Sequence, residues 1–180
     1  PHTEEATLTV GLLMLGLRER EAEEAVVLAV AQLRVGRALE EIGRRYGGID
    51  GIIHSAGLLN DGLARTKDRA AFDRVLAPKI DGLMALEAET ADMPLRFFLV
   101  NSSVAAVHGA VGQSDYAAAN AFMDRFMADR AARVVKGERS GHSLSIGWTL
   151  WADGGMRVSE RVLRSMTGRM GTNPLPTDQA

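Results

Sequence analysis

The chain has 180 residues, 46% of them hydrophobic and 24% charged, which is enough for one folded domain and excludes a disordered segment. Its 21 Lys and Arg against 23 Asp and Glu give a net charge of −2, which leaves no basic surplus for binding nucleic acid. The absence of cysteine excludes disulfides and cysteine-ligated metals and favours a cytoplasmic location, and no apolar run approaches the ~20 residues of a membrane helix.

The N-terminal stretch, residues 1–48, is the least regular part of the sequence. Residues 26–30 form an uninterrupted apolar run, which predicts a buried strand of a parallel sheet. Leu39, Ile42 and Tyr46 then recur at helical spacing before a pair of glycines, so a helix is expected there.

From residue 49 onward, strands and helices alternate. The predicted strands are 49–54, 96–102 and 143–148, and the predicted helices are 72–76, 78–86 and about 114–134. Pro78 is a favoured first-turn residue and is expected to begin the second of these helices. The alternation predicts an α/β fold with a doubly wound parallel sheet and helices on both faces. Ligands of such sheets bind beyond the carboxyl ends of the strands, so residues 55–61, 102–113 and 149–156 are expected to surround one cleft.

Four polar residues near this cleft have the types needed for proton transfer to a carbonyl oxygen. Ser103 ends a predicted strand, Tyr116 opens the following helix, and Asn120 shares a helix face with Tyr116. A serine and a tyrosine that face each other can hold one carbonyl oxygen between two donors and deliver a proton to it. Because tyrosine titrates near ~10, it needs a nearby ammonium, for which Lys79 is the leading candidate. These residue types are common, and the same four also fit helix caps, a surface lysine and a buried tyrosine.

Four longer motifs give the chain a resemblance to a known family. They are IDGIIHSAGLLNDG, FDRVLAPKIDGLMAL, FFLVNSSVAAVHGAVGQSDYAAANAFMD and SLSIGWTLWADGGM, which span residues 49–156 in this order. The sequence resembles the ketoreductase domain of modular type I polyketide synthases, an extended branch of the short-chain dehydrogenase/reductases. The resemblance implies a Rossmann-like fold in which residues 1–48 are the N-terminal part of the reductase and residues 49–180 are its catalytic core with a C-terminal lid region.

The resemblance also implies an activity and its partners. The activity is the NADPH-dependent reduction of a 3-ketoacyl thioester on an acyl carrier protein to the 3-hydroxyacyl product, and neighbouring synthase domains are further partners. The proton-donor tyrosine of the family falls on Tyr116, its carbonyl-binding serine on Ser103 and its asparagine on Asn120. The lysine of the family falls on Lys79, which would hold the nicotinamide ribose and lower the pKa of Tyr116.

Further positions carried over from the family concern the cofactor and the substrate. The implied cofactor-binding residues, besides Lys79 and Tyr116, are Ala56, Gly57, Thr149 and Leu150. The implied substrate and stereochemistry residues are Asp61, His108 and Met156. The Leu-Asp-Asp motif of members that form the D-configured hydroxyl corresponds to Leu59-Asn60-Asp61, and the tryptophan of the opposite class corresponds to His108. A D-configured product is therefore favoured.

Other side chains that invite a functional interpretation are expected to be structural. His54 ends a predicted strand and is expected to pack there rather than to act as a base. Asp115 is expected to cap the helix start, with an electrostatic effect on Tyr116 as the alternative. The apolar side chains of the long helix are expected to pack in the core or between helices and not to bind a cofactor; they are Phe122, Met123, Phe126 and Met127. With four histidines and no acidic spacing around them, no metal site is expected.

One expected feature is missing from the sequence. A dinucleotide-binding domain of this kind opens with the turn G-x-G-x-x-G, which leads into the helix that holds the pyrophosphate. No such turn is found, since Gly11 and Gly16 are five residues apart with only Leu and Met between them. Either the sequence, which begins at Pro1 rather than Met, is part of a longer chain, or it is a truncated reductase that cannot hold its cofactor. The second possibility leaves a rival function: a non-catalytic ketoreductase remnant that scaffolds neighbouring synthase domains.

Overall fold

The structure, a computed structural model, describes residues 24–152, 160, 163–164, 167–168, 171 and 173–179. The helices of the main segment are α1 (Glu24–Tyr46), α2 (Arg69–Glu89), α3 (Ala105–His108) and α4 (Ser114–Val135). The strands are β1 (Gly51–His54), β2 (Phe97–Ser103) and β3 (His142–Trp148). Short 3₁₀ turns lie at Ala64–Thr66 and Thr177–Gln179.

The described strands form a parallel sheet with β2 in the middle. Gly51 of β1 pairs with Phe97 of β2, and Phe97 pairs in turn with His142 of β3. Parallel neighbours need a crossover connection, and α2 and α4 lie in the two crossovers of this sheet. The predicted α/β fold with a parallel sheet is confirmed.

The core is built from alternating residues of the strands and from one stripe of each long helix. Phe98 and Val100 of β2 are buried, while their neighbours in sequence are half-buried, which is the period-2 pattern of a sheet. The helices add buried apolar side chains at helical spacing, namely Leu83 and Leu86 of α2 and Met123 and Met127 of α4. The expected core packing is therefore confirmed for Met123 and Met127, and Phe126 packs against the core while partly buried. For Phe122 the expectation of core packing is wrong, because its side chain is exposed.

The first described element is a helix and not the predicted strand. Residues 26–30 lie inside α1, so the prediction of a buried strand there is wrong. A short apolar run fits a strand or a buried helix equally well. Here a helix forms, because Val35, Leu39 and Ile42 continue the run at helical spacing and are buried in the core. The predicted helix through Leu39, Ile42 and Tyr46 is confirmed.

The two helices predicted between residues 72 and 86 are one continuous helix, α2. Pro78 lies inside this helix rather than at its start. A proline in a helix interior lacks the N–H for an intrahelical bond and costs about 3 kcal/mol. Buried side chains on both sides of Pro78, among them Val75 and Leu83, hold the helix together against that cost. Asp68 caps its start by accepting a hydrogen bond from the N–H of Ala71 at 2.6 Å.

A network of buried charges joins α2, α4 and the start of β3. The carboxylate of Glu87 accepts hydrogen bonds from Arg130 Nε at 2.8 Å and from Arg139 Nε at 2.7 Å. The Arg130 side chain, only 1% exposed, also donates from Nη1 to Ser143 Oγ at 2.7 Å and lies over the ring of Phe98. Because the buried carboxylate and guanidinium satisfy each other, the network connects these elements without an unpaired charge in the core.

Glu87→Gln is expected to lower the free energy of unfolding by about 3–5 kcal/mol, because it leaves the buried guanidinium of Arg130 without its carboxylate. The matched control is Asp129→Asn, which breaks the exposed pair of Asp129 with Arg125 and should cost less than about 1 kcal/mol. Urea titrations of the parent and both variants measure the two losses, provided that the unfolding free energy depends on the urea concentration with the same slope in all three proteins. Equal losses in the two variants would contradict a buried ion pair at Glu87.

Candidate active site

The site is built where the described strands end side by side. β1 ends at His54, β2 at Ser103 and β3 at Trp148, and α4 begins soon after β2, so Tyr116 stands in its first turn. In a parallel sheet these carboxyl ends share one edge, which is where ligands of such folds bind. Ser103 Oγ accepts a hydrogen bond from the N–H of Ala105 at 3.2 Å, which leaves the hydroxyl proton of Ser103 available as a donor.

The four polar residues predicted to act together lie close to one another. The Tyr116 side chain is hydrogen-bonded with Ser103 and with Asn120. Asn120 Nδ2 also donates to the backbone oxygen of Tyr116 at 2.7 Å. The ammonium nitrogen of Lys79 lies 5.5 Å from the centre of the Tyr116 ring. The structure therefore gathers a phenol, an alcohol, an amide and an amine at one point of the sheet edge.

Lys79 is buried in α2 although it carries an ionisable amine. It is 3% exposed, and its Nζ donates to the backbone oxygen of Asn101 at 3.2 Å. Burial lowers the pKa of Lys79 to about 8, and the carboxylate of Asp124 opposes part of this shift. The amine of Lys79 is thus mostly protonated at neutral pH and loses its proton under mildly alkaline conditions.

The pKa of Tyr116 is set mainly by its burial. Burial raises it above its ordinary value near 10, and the hydrogen bonds with Ser103 and Asn120 offset only part of that effect. The lowering of the Tyr116 pKa by Lys79 stays a prediction. At neutral pH, Tyr116 keeps its proton and can act as a donor.

Several buried polar atoms have no hydrogen-bond partner among the residues that the structure describes. They are His54 Nδ1, Asn120 Oδ1, Thr149 Oγ1 and Trp151 Nε1. An unpaired buried polar group costs about 1–3 kcal/mol, which a polar ligand or a water molecule can recover. Asn120 lies beside Tyr116, and Thr149 directly follows β3, so the edge offers free hydrogen-bonding oxygens to a bound group.

The residues assigned to cofactor binding lie in the loops that follow β1 and β3. Ala56 and Gly57 come after β1, where Ala56 is buried, and Thr149 and Leu150 come after β3. The backbone oxygen of Leu150 accepts a hydrogen bond from the N–H of Leu175 at 2.7 Å, which fixes this loop. All four positions lie at the edge where the strands end, and their role in binding stays a prediction.

Asp61, assigned to the substrate side, lies in a loop that is fastened to the loop before α4. Gln113 Nε2 donates to Asp61 Oδ1 at 2.9 Å. The N–H of Gly62 donates to the backbone oxygen of Gly112, also at 2.9 Å. The loop that carries Asp61 is thus held beside the helix that carries Tyr116.

The other two residues assigned to the substrate are placed differently. His108 is the last residue of α3, is exposed, and has its Nδ1 3.2 Å from the backbone oxygen of Gly109. Met156 lies outside the described residues. Contact of either residue with a substrate stays a prediction.

A buried ion pair beside Tyr116 was not predicted from the sequence. Lys67, in the loop after β1, pairs with Asp115 at the start of α4, and both side chains are buried. Asp115 Oδ1 also accepts the N–H of Tyr116 at 2.9 Å. The expectation that Asp115 caps the helix start is wrong, because the cap position is Gln113 and Asp115 lies in the first turn of α4. The two partners are 48 residues apart, and nothing in the local sequence around either one points to the other.

His54 fits the structural role expected of it. It is buried, and its Nε2 lies 3.4 Å from the backbone oxygen of Lys79. Burial, with a smaller contribution from the charge of Lys79, lowers the pKa of His54 to about 4. The imidazole is therefore neutral at physiological pH, and its contact with α2 supports the helix turn that carries Lys79.

Metal-binding side chains do not gather in the described part of the chain. Within it, no group of three or more His, Cys, Asp or Glu side chains is placed to hold a metal ion. A membrane-spanning helix is likewise not found there, since none of the described helices is long and apolar enough to cross a bilayer.

Comparisons with known proteins agree on one family. The family model of the KR domain matches residues 16–153. The polyketide synthase PksL of Bacillus subtilis (strain 168) is 42% identical over 145 residues, which are 81% of this chain and 3% of that protein. PksN of the same organism is 38% identical over 148 residues, 82% of this chain and again 3% of the relative. This chain therefore spans only about 3% of the length of either synthase.

A solved structure supports the same assignment. The crystal structure of a ketoreductase domain from the bacillaene assembly line is 41% identical and superposes with a TM-score of 0.79. The match covers 89% of this chain and 37% of that chain. The predicted Rossmann-like fold agrees with this likeness.

The burial of His54 predicts a loss of stability in acid. Its pKa is 6.5 when unperturbed and about 4 in the fold, so between these values the unfolded chain binds more protons than the folded one. The free energy of unfolding should therefore fall as the pH is lowered from 6.5 to 4, and His54→Gln should show a smaller fall. Denaturant titrations at several pH values measure both slopes, with exposed His142→Gln as the control. An identical pH dependence in His54→Gln and the parent would refute the buried neutral imidazole.

Proposed function

Since the chain belongs to the ketoreductase (KR) domains of polyketide synthases, within the short-chain dehydrogenase/reductases, we propose that it reduces a 3-ketoacyl thioester with NADPH. The substrate is carried on an acyl carrier protein and leaves as the 3-hydroxyacyl product. The observation that carries this proposal is the convergence of Tyr116, Ser103 and Asn120 with the buried amine of Lys79 at the strand ends.

The residues at the sheet edge fit a nicotinamide cofactor. The buried Thr149 Oγ1 and Asn120 Oδ1 have no partner among the described residues, so each can accept a hydrogen bond from a bound group. Ala56 and Gly57 are small, which lets a flat group approach the backbone after β1. The amine of Lys79 is a donor suited to ribose hydroxyls. When bound, NADPH supplies the hydride, and the protein supplies position and charge.

Tyr116 is the proton donor of the proposed reaction. The substrate oxygen becomes negatively charged as its carbon is reduced, and the Tyr116 hydroxyl transfers its proton to that oxygen. A pKa raised by burial keeps this proton on Tyr116 at neutral pH until the oxygen needs it. The hydroxyl of Ser103 donates a hydrogen bond to the same oxygen, so the developing charge is shared between two donors.

Lys79 stabilises Tyr116 after the tyrosine has transferred its proton to the substrate. Once Tyr116 has given up its proton, its phenolate is buried and needs a nearby positive charge. The Lys79 ammonium lies over the Tyr116 ring and is mostly protonated at neutral pH, with a pKa of about 8. Asn120 orients the tyrosine through its hydrogen bonds to the side chain and to the backbone oxygen.

The proposed partners follow from the substrate. A thioester-bound chain is presented by an acyl carrier protein, and neighbouring synthase domains hold that carrier close. Asp61 and His108 are proposed to border the substrate, and the hydrogen bond from Gln113 fixes Asp61 relative to Tyr116. The pattern at these positions favours the D-configured hydroxyl.

A second candidate function is a scaffold without catalysis. Its support is the missing G-x-G-x-x-G turn, since the pyrophosphate of a dinucleotide would lack its usual helix N-terminus within this sequence. The two candidates differ in whether the chain binds NADPH. Equilibrium dialysis of the full-length protein against NADPH separates them, because a scaffold needs no cofactor.

Tyr116→Phe is expected to abolish reduction while leaving the fold intact. With NADPH and a 3-ketoacyl-N-acetylcysteamine thioester, the nicotinamide absorbance should fall with the parent, and kcat of the variant should be about 10²–10⁴-fold lower. The chain has one other tyrosine, so Tyr46→Phe on α1 is the matched control and should keep parental activity. If the parent does not consume NADPH and the full-length protein does not bind it, the scaffold is favoured. Activity retained in Tyr116→Phe would remove Tyr116 from the mechanism.

Lys79→Met is expected to move the alkaline limb of the pH–rate profile to higher pH. Reduction needs a protonated Tyr116 and a charged Lys79, so the parental rate should begin to fall near the Lys79 pKa of about 8. Without the ammonium the phenolate is less stable, so the Tyr116 pKa is higher. In Lys79→Met, kcat should therefore be lower at every pH and should begin to fall only at a higher pH than in the parent. Profiles of kcat against pH for Lys79→Met and for the exposed control Lys136→Met measure this shift. An unchanged alkaline limb in Lys79→Met would contradict the role given to Lys79.

A further inference from the structure

The side chain of Asn101, in the middle strand β2, contacts residues on both sides of that strand at the carboxyl end of the sheet. Asn101 Nδ2 donates to Ser55 Oγ, in the loop after β1, at 2.6 Å. Asn101 Oδ1 accepts from the indole Nε1 of Trp148, the last residue of β3, at 2.9 Å. The nitrogen and the oxygen of the Asn101 amide are therefore both hydrogen-bonded, one to the loop after β1 and the other to the last residue of β3.

The backbone of the same residue holds Lys79. The oxygen of Asn101 accepts the hydrogen bond from Lys79 Nζ at 3.2 Å. Because the side chain fixes Asn101 from both sides, the position of this oxygen is fixed too. Asn101 thus contacts the ends of β1 and β3 and the buried amine of α2.

These contacts begin where the backbone pairing between β1 and β2 stops. The last pair of that ladder is His54 with Val100, so the bond from Asn101 to Ser55 extends the connection one residue beyond it. On the other side, Asn101 is in register with Ile146, and its bond reaches two residues further, to Trp148. The Asn101 amide therefore holds the loop after β1 beyond the last backbone pair of β1 and β2. On the other side it adds a side-chain bond to Trp148, the last residue that β3 pairs with β2 and the one from which the next loop starts.

We propose that Asn101 is a positioning residue that sets the separation of the two loops after β1 and β3 and the place of the Lys79 amine between them. Ser55 directly precedes Ala56 and Gly57, and Trp148 directly precedes Thr149. As far as these loops bind NADPH, the inference rests on the proposed function. The effect of Asn101 on loop structure does not depend on it.

Two substitutions of similar size separate the hydrogen bonds from the volume of the side chain. Asn101→Leu keeps the shape but loses both bonds. Asn101→Asp keeps both, since its carboxylate accepts from the indole of Trp148 and from the hydroxyl of Ser55, which can donate. A residue that only filled space would tolerate leucine, so rescue by aspartate but not leucine is the expected pattern.

Amide hydrogen exchange, followed by mass spectrometry, tests the loop effect without any cofactor. In Asn101→Leu, exchange at residues 55–57 and 148–150 should be about tenfold faster than in the parent, as expected for the loss of one hydrogen bond per loop. Exchange in the core turns of α4, around Met123 and Met127, should stay unchanged. In Asn101→Asp, both loops should exchange at the parental rate.

Two results would overturn the proposal. Parental exchange at both loops in Asn101→Leu would mean that the amide does not hold them. A uniform acceleration that includes the core of α4 would mean that Asn101 supports the whole fold and not the sheet edge. Because these results involve no NADPH, they decide the role of Asn101 even if the proposed reductase function fails.

Cofactor affinity gives the second measurement. In a parent that binds NADPH, the Kd should be about tenfold weaker in Asn101→Leu and close to parental in Asn101→Asp, with the KM for the ketone substrate unchanged in both. An unchanged Kd in Asn101→Leu would overturn the link between the loops and the cofactor. A parent that does not bind NADPH would defeat the proposed function instead, and the exchange data would still stand.

Discussion

The buried amine of Lys79 is the group around which the sheet edge is arranged. It is 3% exposed, its hydrogen bond goes to a backbone oxygen, and it faces the ring of Tyr116. Burial of an amine with so little compensation is unfavourable, and it lowers the pKa of Lys79 to about 8. The fold accepts it because α2 packs firmly on both sides of Lys79 and Asn101 keeps the acceptor oxygen in place.

The buried polar groups at the two ends of the sheet differ in how completely they are hydrogen-bonded. At the amino ends of the strands, Glu87 and Arg130 satisfy each other and stabilise the joint between α2, α4 and β3. At the carboxyl ends, Asn120 Oδ1 and Thr149 Oγ1 are buried without a partner among the described residues. Complete pairing serves stability, while incomplete pairing leaves atoms for a ligand. The same helix, α2, carries Glu87 at one end and Lys79 near its middle, and so connects the two regions.

The sequence predicted the fold where periodicity was strong and failed where it was ambiguous. The three strands and α4 were predicted because alternating or helical apolar spacing marks them clearly, and the strand–helix alternation placed Ser103 and Tyr116 at one edge. Residues 26–30 were assigned to a strand because a short apolar run has no period of its own. The contacts of Asn101 were not predictable, since its partners lie 46 and 47 residues away and meet it only across the sheet. The raised Tyr116 pKa depends on burial, which local sequence does not report.

The loop after β1 is bonded to the residues around the start of α4, and these bonds restrict how either segment can change by mutation or by engineering. Asp61 is held by Gln113, Gly62 by Gly112, and Lys67 by Asp115, so three contacts tie one stretch to the other. Replacing only residues 59–67 with another sequence would remove Lys67 and leave the buried carboxylate of Asp115 without its counter-charge. It would also remove Asp61, the hydrogen-bond partner of Gln113. The two segments are therefore structurally coupled, and an exchange of one requires the matching exchange of the other.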